Sequence, residues 1–286
     1  MRSFTVAVLL TLMLAAVMPL EAQQDTAKTP KYGWKHTSVG SLTLTQVAFT
    51  DWTQGGDNAL SWAVGMDGKS VLEEERTNWE TSYRFGFGQA RLGDQTLRKT
   101  DDKIDLSTTL TYKVGAILNP YGSATLKTQF ARGYKYDAAG TGTAVSAFFD
   151  PAYMTQTAGV IYQPIPQLKT RIGTGLREIL TSNFPVYADD PTTPGIEKTK
   201  VDGGLESVTE LGLKIDDNVT LNSKLELFDA FNKLDQVILR NDNTVTAKIN
   251  KYLAVMLNVQ LINERAASPR TQVKEVLAFG FTYTFI

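Results

Sequence analysis

The sequence contains no cysteine and only one histidine, His36. A chain without cysteine has no disulfide framework and no lipid anchor on an N-terminal cysteine. A serine hydrolase needs a histidine beside its nucleophile, and protein zinc sites are built mainly from histidine and cysteine. Because His36 precedes the first predicted strand, we interpret it as a leader residue. The sequence therefore predicts no enzyme, no catalytic residue, no metal site and no cofactor, with a hydrolase as the less favoured alternative.

The chain also lacks a long apolar run and an excess of charge. After the N-terminus no segment reaches the about 18 consecutive apolar residues of a membrane-spanning helix. The formal net charge is −1, with 29 Lys+Arg against 30 Asp+Glu, and the basic residues are not clustered. A polyanion-binding protein would show such clustering, so we predict no nucleic-acid partner.

The first residues have the pattern of a secretory signal peptide. Arg2 precedes an apolar stretch over residues 4–17, which is too short for a spanning helix. We predict a signal peptide over residues 1–22, a flexible periplasmic leader over residues 23–38, and one barrel domain over residues 39–286.

Most of the remaining chain alternates between large apolar residues and small or polar ones. At the C-terminus, for example, Leu277, Phe279 and Phe281 alternate with Ala278 and Gly280. This period of two is typical of strands with two unlike faces. About twelve such segments follow one another, joined alternately by short turns and longer connections. The pattern predicts an all-β fold: a closed antiparallel transmembrane β-barrel with short periplasmic turns, longer extracellular loops and an outer-membrane location.

Alternation alone leaves open which face is outside, because a soluble lipid-carrying barrel has the reverse arrangement. Charges of both signs in the middle of the polar faces favour the membrane barrel, where they line the lumen. We predict that the closing strand pairs with the first strand near Leu42. The candidate lumen-lining residues are Arg84, Asp105, Lys127, Arg171, Glu210, Lys224, Arg240 and Lys274.

Other residues are predicted at turns and rims. Residues 119–122, with the sequence NPYG, have the composition of a tight turn. We place Tyr153 and Phe228 in an aromatic girdle at the outer rim. A candidate rim loop contains Trp52, Gly55, Gly56 and Asn58; a rim tryptophan followed by a turn is the favoured interpretation, and a ligand contact is the alternative.

Several segments resemble a known family. They are residues 49–58 (FTDWTQGGDN), 98–106 (RKTDDKIDL), 127–130 (KTQF), 248–253 (KINKYL) and 272–277 (QVKEVL). The chain resembles an uncharacterised family of outer-membrane barrels, domain of unknown function number three thousand and seventy-eight. The resemblance implies the fold and the location, and it implies no catalytic residue.

The function that we predict is passage or binding of a small solute or lipid. The alternative is a structural or partner-binding barrel that acts through its extracellular loops. The expected partners are outer-membrane lipid and, during insertion, the barrel-assembly machinery. The charged residues inside the barrel either line an open pore or form ion pairs across the lumen. Of these two alternatives, the sequence slightly favours the second, a narrow or occluded pore.

Overall fold

The computed structural model describes residues 32–48, 57–234, 236–265 and 268–285. These residues form fourteen strands and one short 3-10 helix, Pro185–Tyr187. The strands are β1 (Gly33–Val47), β2 (Ala59–Glu73), β3 (Thr77–Leu92), β4 (Arg98–Tyr112), β5 (Leu118–Thr128), β6 (Gly133–Tyr136), β7 (Gly142–Ser146), β8 (Ala152–Ile165), β9 (Leu168–Leu180), β10 (Thr199–Lys214), β11 (Val219–Ala230), β12 (Ile238–Lys248), β13 (Leu253–Asn263) and β14 (Gln272–Phe285).

Twelve of the strands close into one antiparallel barrel. Each pairs with its neighbours along the chain, and β1 pairs with β14 to complete the ring. The closing register joins Leu42 to Phe281, so the predicted pairing near Leu42 is confirmed. Strands β6 and β7 form a separate hairpin within the long connection between β5 and β8.

The outer surface of the barrel is apolar and the interior is polar. Leu277 on β14 is 73% exposed, and Leu44, Ile172 and Phe281 are also exposed on the outside. The intervening residues carry most of the charges, including Arg84 on β3 and Asp242 on β12, which meet inside the barrel. Because lipid can contact exposed apolar side chains but cannot solvate charges, this arrangement fits a membrane-spanning barrel.

Glycine on the inner face lets neighbouring strands approach closely. A Cβ added to Gly175 on β9 would lie 2.0 Å from the carbonyl oxygen of Gln156 on β8. Gly204 on β10 is similarly close to Asp229 on β11, at 2.4 Å. Glycine at such positions permits the strong curvature that a small closed barrel needs.

The predicted boundary at residue 39 is wrong, because β1 begins six residues earlier. Residues 33–38 pair with β2, from Gly33 opposite Glu73 to Ser38 opposite Gly68. His36 is therefore a strand residue rather than a leader residue. Its Nδ1 lies 2.9 Å from the Ser70 hydroxyl. The proposed signal peptide lies outside the described residues.

Two further predictions are corrected by the strand geometry. Residues 119–122 lie within β5 rather than in a turn. The turn precedes them, and the Asn119 side-chain oxygen closes it by accepting the Val114 and Gly115 amides at 2.8 and 3.0 Å. Tyr153 and Phe228 face the lumen instead of an outer aromatic girdle, because each occupies an inward position of its strand.

Within the described residues, no helix is long and apolar enough to cross a membrane.

Candidate solute site in the barrel lumen

Ion pairs cross the lumen between strands that are not neighbours in the barrel. Arg84 on β3 donates to Asp242 on β12 at 2.9 Å. Lys127 on β5 pairs with Glu226 on β11, which also accepts from Lys224 at 2.7 Å. Side chains from opposite walls therefore meet in the centre of the barrel.

A second set of pairs lies nearer the periplasmic turns. Glu80 on β3 accepts from Lys69 on β2 at 2.8 Å and from Lys169 on β9 at 3.4 Å. At the periplasmic end, Lys113 pairs with Glu73. Charges of opposite sign are thus matched at several heights along the lumen.

The extracellular end is held by Glu264, which directly follows β13. Its carboxylate accepts from Arg177 on β9 at 2.6 Å and from Arg240 on β12 at 3.0 Å. Both guanidinium groups also lie over the ring of Tyr153, at 5.4 and 5.3 Å from its centre. Burial raises the pKa of the Glu264 carboxyl, but the two arginines outweigh burial and hold the pKa below its ordinary value.

Two extracellular loops are joined to each other at this end of the barrel. Tyr187, from the 3-10 helix, donates its hydroxyl to the Val145 carbonyl at 3.0 Å. Asp150 accepts from the backbone amides of Ser182 and Asn183 at 3.0 and 2.7 Å. These contacts join the loop between β5 and β8 to the loop between β9 and β10.

Among the described residues, three large cavities follow one another inside the barrel, and a smaller one of about 50 Å³ lies beside Tyr153 and Phe228. The outer cavity, of about 410 Å³, extends from Tyr187 and Glu264 to Asp105. The middle cavity, of about 430 Å³, contains Ser82 and Asn222. The inner cavity, of about 680 Å³, reaches the periplasmic turns.

Charged layers separate these cavities. The outer and middle cavities share a central charged layer, formed by Arg84, Asp105, Lys224 and Asp242. The middle and inner cavities share a lower charged layer, formed by Lys69, Glu80 and Glu210. A solute that crossed the lumen would have to pass both layers.

The structure brings six of the eight candidate lumen residues to the cavities. Arg84, Asp105, Lys127, Lys224 and Arg240 line the outer cavity. Glu210 lines the middle and inner cavities. Their role in function stays a prediction.

The other two candidates occupy different positions. Arg171 on β9 is only 4% exposed and donates to the Thr109 hydroxyl at 3.1 Å, and it is not among the described residues that line the three large cavities. Lys274 on β14 pairs with Asp101 on β4 at 2.5 Å.

Of the candidate rim loop, only Asn58 lies in the described part of the chain. Its carbonyl accepts the Gly93 amide at 2.7 Å. Trp52, Gly55 and Gly56 lie outside the described residues, so their role stays a prediction.

Sequence reasoning missed several residues that line the outer cavity. Asp242 and Gln260 occupy inward positions that the alternation on β12 and β13 could have indicated. Glu264 and Tyr187 belong to loops, where no periodic pattern exists to indicate them. In the described part of the chain, no group of three His, Cys, Asp or Glu residues is placed to hold a metal ion.

An apolar exterior, a charged interior and a closed ring of twelve strands define an integral outer-membrane β-barrel. The family model described as protein of unknown function (DUF3078) matches residues 44–134 and confirms the resemblance predicted from the sequence. No curated protein matches the chain.

Several solved outer-membrane barrels are similar at low identity. The translocator domain of autotransporter NalP from Neisseria meningitidis is 13% identical over 99% of this chain and 98% of that chain, with a TM-score of 0.38. An outer membrane channel from Pseudomonas putida F1 is 12% identical over 94% and 100% of the two chains, with a TM-score of 0.42. Pseudomonas putida OprB is 10% identical over 88% and 94%, with a TM-score of 0.35.

Proposed function

We propose that the protein is a narrow outer-membrane channel for small polar solutes. The observation that carries this proposal is the series of three cavities along the lumen, in which each neighbouring pair shares a charged layer. Such layers restrict the passage by size, and their charges select among the solutes that pass.

The chemistry of the interior favours a polar solute over a lipid. Cations and carboxylates that cross the lumen exchange hydrogen bonds readily with a hydrated or hydroxylated solute. An acyl chain would instead remove water from these charges without replacing their hydrogen bonds, which is costly. The apolar side chains lie mainly on the outside of the barrel.

The cross-lumen pairs make this channel narrow. To admit a solute, Arg84 must release Asp242, and Lys69 or Lys169 must release Glu80. Arg84 and Lys69 are partly exposed, so these releases cost less than the separation of fully buried pairs. We therefore expect small single-channel currents that fluctuate as the pairs open and close.

Planar-bilayer recordings of the purified, folded barrel test the proposal. The wild-type protein should conduct weakly, and the double variant Glu80→Ala with Asp242→Ala should conduct more, because both charged layers lose a crossing partner. The matched control is Asp94→Asn, in an exposed extracellular segment, which should leave the current unchanged. Folded protein without current in the wild type and in the double variant would overturn the channel proposal.

A second candidate function is supported by the extracellular loops. Asp150 and Tyr187 join two loops into one ordered surface. Apolar side chains, including Phe148, Val186 and Ile196, are exposed on these loops. A barrel that presents such a surface to a partner would keep its role after the lumen is blocked, whereas a channel would lose it.

A further inference from the structure

We infer that the outer cavity is a binding site for a small zwitterion, a solute with one ammonium and one carboxylate group. The inference deepens the proposed channel function and rests on it for its physiological role. The residues that would bind the two groups are Asp105 and Lys103 on β4. Both face the outer cavity and both are half-buried.

Nearly every other charge on the wall of the outer cavity already has a partner. Arg84 pairs with Asp242 and Lys127 pairs with Glu226, while Glu226 also binds Lys224. Arg240 pairs with Glu264, and Asp102 binds Lys99 at 2.7 Å.

Lys103 and Asp105 are different. Among the described residues, neither makes an ion pair. Arg84 on β3 and Lys127 on β5 stand opposite Asp105 on the two adjacent strands, but each is paired with another carboxylate. Lys224, whose charge also interacts with Asp105, binds Glu226. One cation and one anion therefore remain available on the same wall.

The spacing of the two charges fits a compact zwitterion. Residues two apart on a strand lie on one face, with Cα atoms about 7 Å apart. An amino acid placed between them could accept from the Lys103 ammonium and donate to the Asp105 carboxylate at normal ion-pair distances. Gly86 lies opposite Lys103 on β3, and a Cβ there would lie 3.0 Å from Asp101 Oδ2 and 3.2 Å from Lys103 Cε. Glycine therefore leaves room for both side chains.

The size and the borders of the cavity are also suitable. A volume of about 410 Å³ is within the range of small-molecule sites, roughly 300–1,000 Å³. Tyr187 and Glu264 border the cavity on the extracellular side, and the central charged layer borders it below. Charge-assisted hydrogen bonds are stronger in such a partly desolvated site than in open water.

Calorimetry on the folded barrel in detergent tests the site with defined probes. Glycine, β-alanine and 4-aminobutyrate present both charges at increasing separation, whereas acetate and methylammonium present one charge each. We expect at least one of the three zwitterions to bind more tightly than either single-charge probe. Zwitterions that bind no better than acetate and methylammonium would overturn the inference, and this comparison needs no variant.

Two variants test the assigned residues. Lys103→Gln and Asp105→Asn should each weaken binding of the preferred zwitterion by about ten- to a hundredfold, because each removes one charge-assisted hydrogen bond. Lys135→Gln and Asp94→Asn change the same charges on the extracellular side and should bind as the wild type does. Wild-type affinity in both cavity variants would also refute the site.

The failure of the site can be separated from the failure of the channel. A barrel that conducts ions but binds no zwitterion would support the channel proposal and refute the zwitterion site. A barrel that binds a zwitterion but passes no current would support the zwitterion site and refute the channel proposal.

Discussion

The replacement Glu264→Gln should destabilise the extracellular end of the barrel. Glu264 is 4% exposed and is the shared acceptor of Arg177 and Arg240. The substitution leaves both guanidinium groups without their shared carboxylate while both stay over the Tyr153 ring. Loss of one partner from a buried ion pair costs about 3–5 kcal/mol.

The lower end of that range is expected here. Glutamine keeps one side-chain acceptor, and the side chain of Arg240 is 25% exposed, so water can solvate part of its charge. We therefore expect the free energy of unfolding to fall by about 3 kcal/mol. The assay is urea unfolding of the barrel in lipid vesicles, followed by tryptophan fluorescence.

Glu75→Gln is the matched control, because Glu75 is exposed in the turn between β2 and β3. It should change the free energy of unfolding by less than about 0.5 kcal/mol. If Glu264→Gln is as stable as this control, the carboxylate does not hold the two arginines together and the reasoning is refuted.

The pH dependence gives an independent check. Because the pKa of Glu264 is lowered in the folded protein, its stabilising effect is complete above the ordinary glutamate pKa. That effect is lost as the pH falls through the lower, folded-state value. The difference in stability between the wild type and Glu264→Gln should therefore narrow at acid pH; a constant difference would contradict the assigned cause.

Three further predictions concern the wall, the central charged layer and the loops. Gly175→Ala should lower the free energy of unfolding by about 1–3 kcal/mol, whereas Gly122→Ala, where an added Cβ meets nothing within 4 Å, should be neutral in the same urea assay. Asp242→Asn should shift the reversal potential in a salt gradient in the direction of greater anion selectivity, because the central charged layer loses a negative charge. An unchanged reversal potential would argue against a role of Asp242 in ion selection. Asp150→Ala should speed proteolysis of residues 181–198 by about tenfold or more, since two backbone amides lose their acceptor, and an unchanged rate would refute the proposed loop contact.

Much of the barrel could be predicted because each strand has one face in lipid and one in a polar lumen. That contrast gives the alternation with a period of two. The alternation correctly predicted Leu277 and Phe281 on the outside and Arg84 and Asp105 on the inside. The closing register near Leu42 followed from the same alternation. The difference between lipid and lumen therefore appears in the sequence as an alternation of apolar and polar residues.

The errors occurred where local composition misled the interpretation. Asn119 and Pro120 indicated a turn, yet Asn119 closes a turn that precedes it. Tyr153 and Phe228 were assigned to the lipid interface because they are aromatic, although Tyr153 instead lies beneath two arginines in the lumen. Residue type was a weaker guide there than position in the alternation.

The cross-lumen pairs could not be derived from periodicity. Arg84 and Asp242 are 158 residues apart, and their contact depends on the tilt and stagger of the closed barrel. The hairpin of β6 and β7 was missed because its strands are only four and five residues long.

The pairing of β1 with β14 also has a consequence for how the ring forms. Only residues 38–43 of β1 pair with β14, whereas β1 and β2 pair along their full length in the described part of the chain. Among the described residues, the seam is thus the shortest ladder of the barrel, and it joins the first strand to the last, so its closure carries the largest loss of chain entropy. The pairing of β1 with β14 should form last during folding. Its backbone amides should exchange with solvent deuterium sooner than the amides that join β1 to β2.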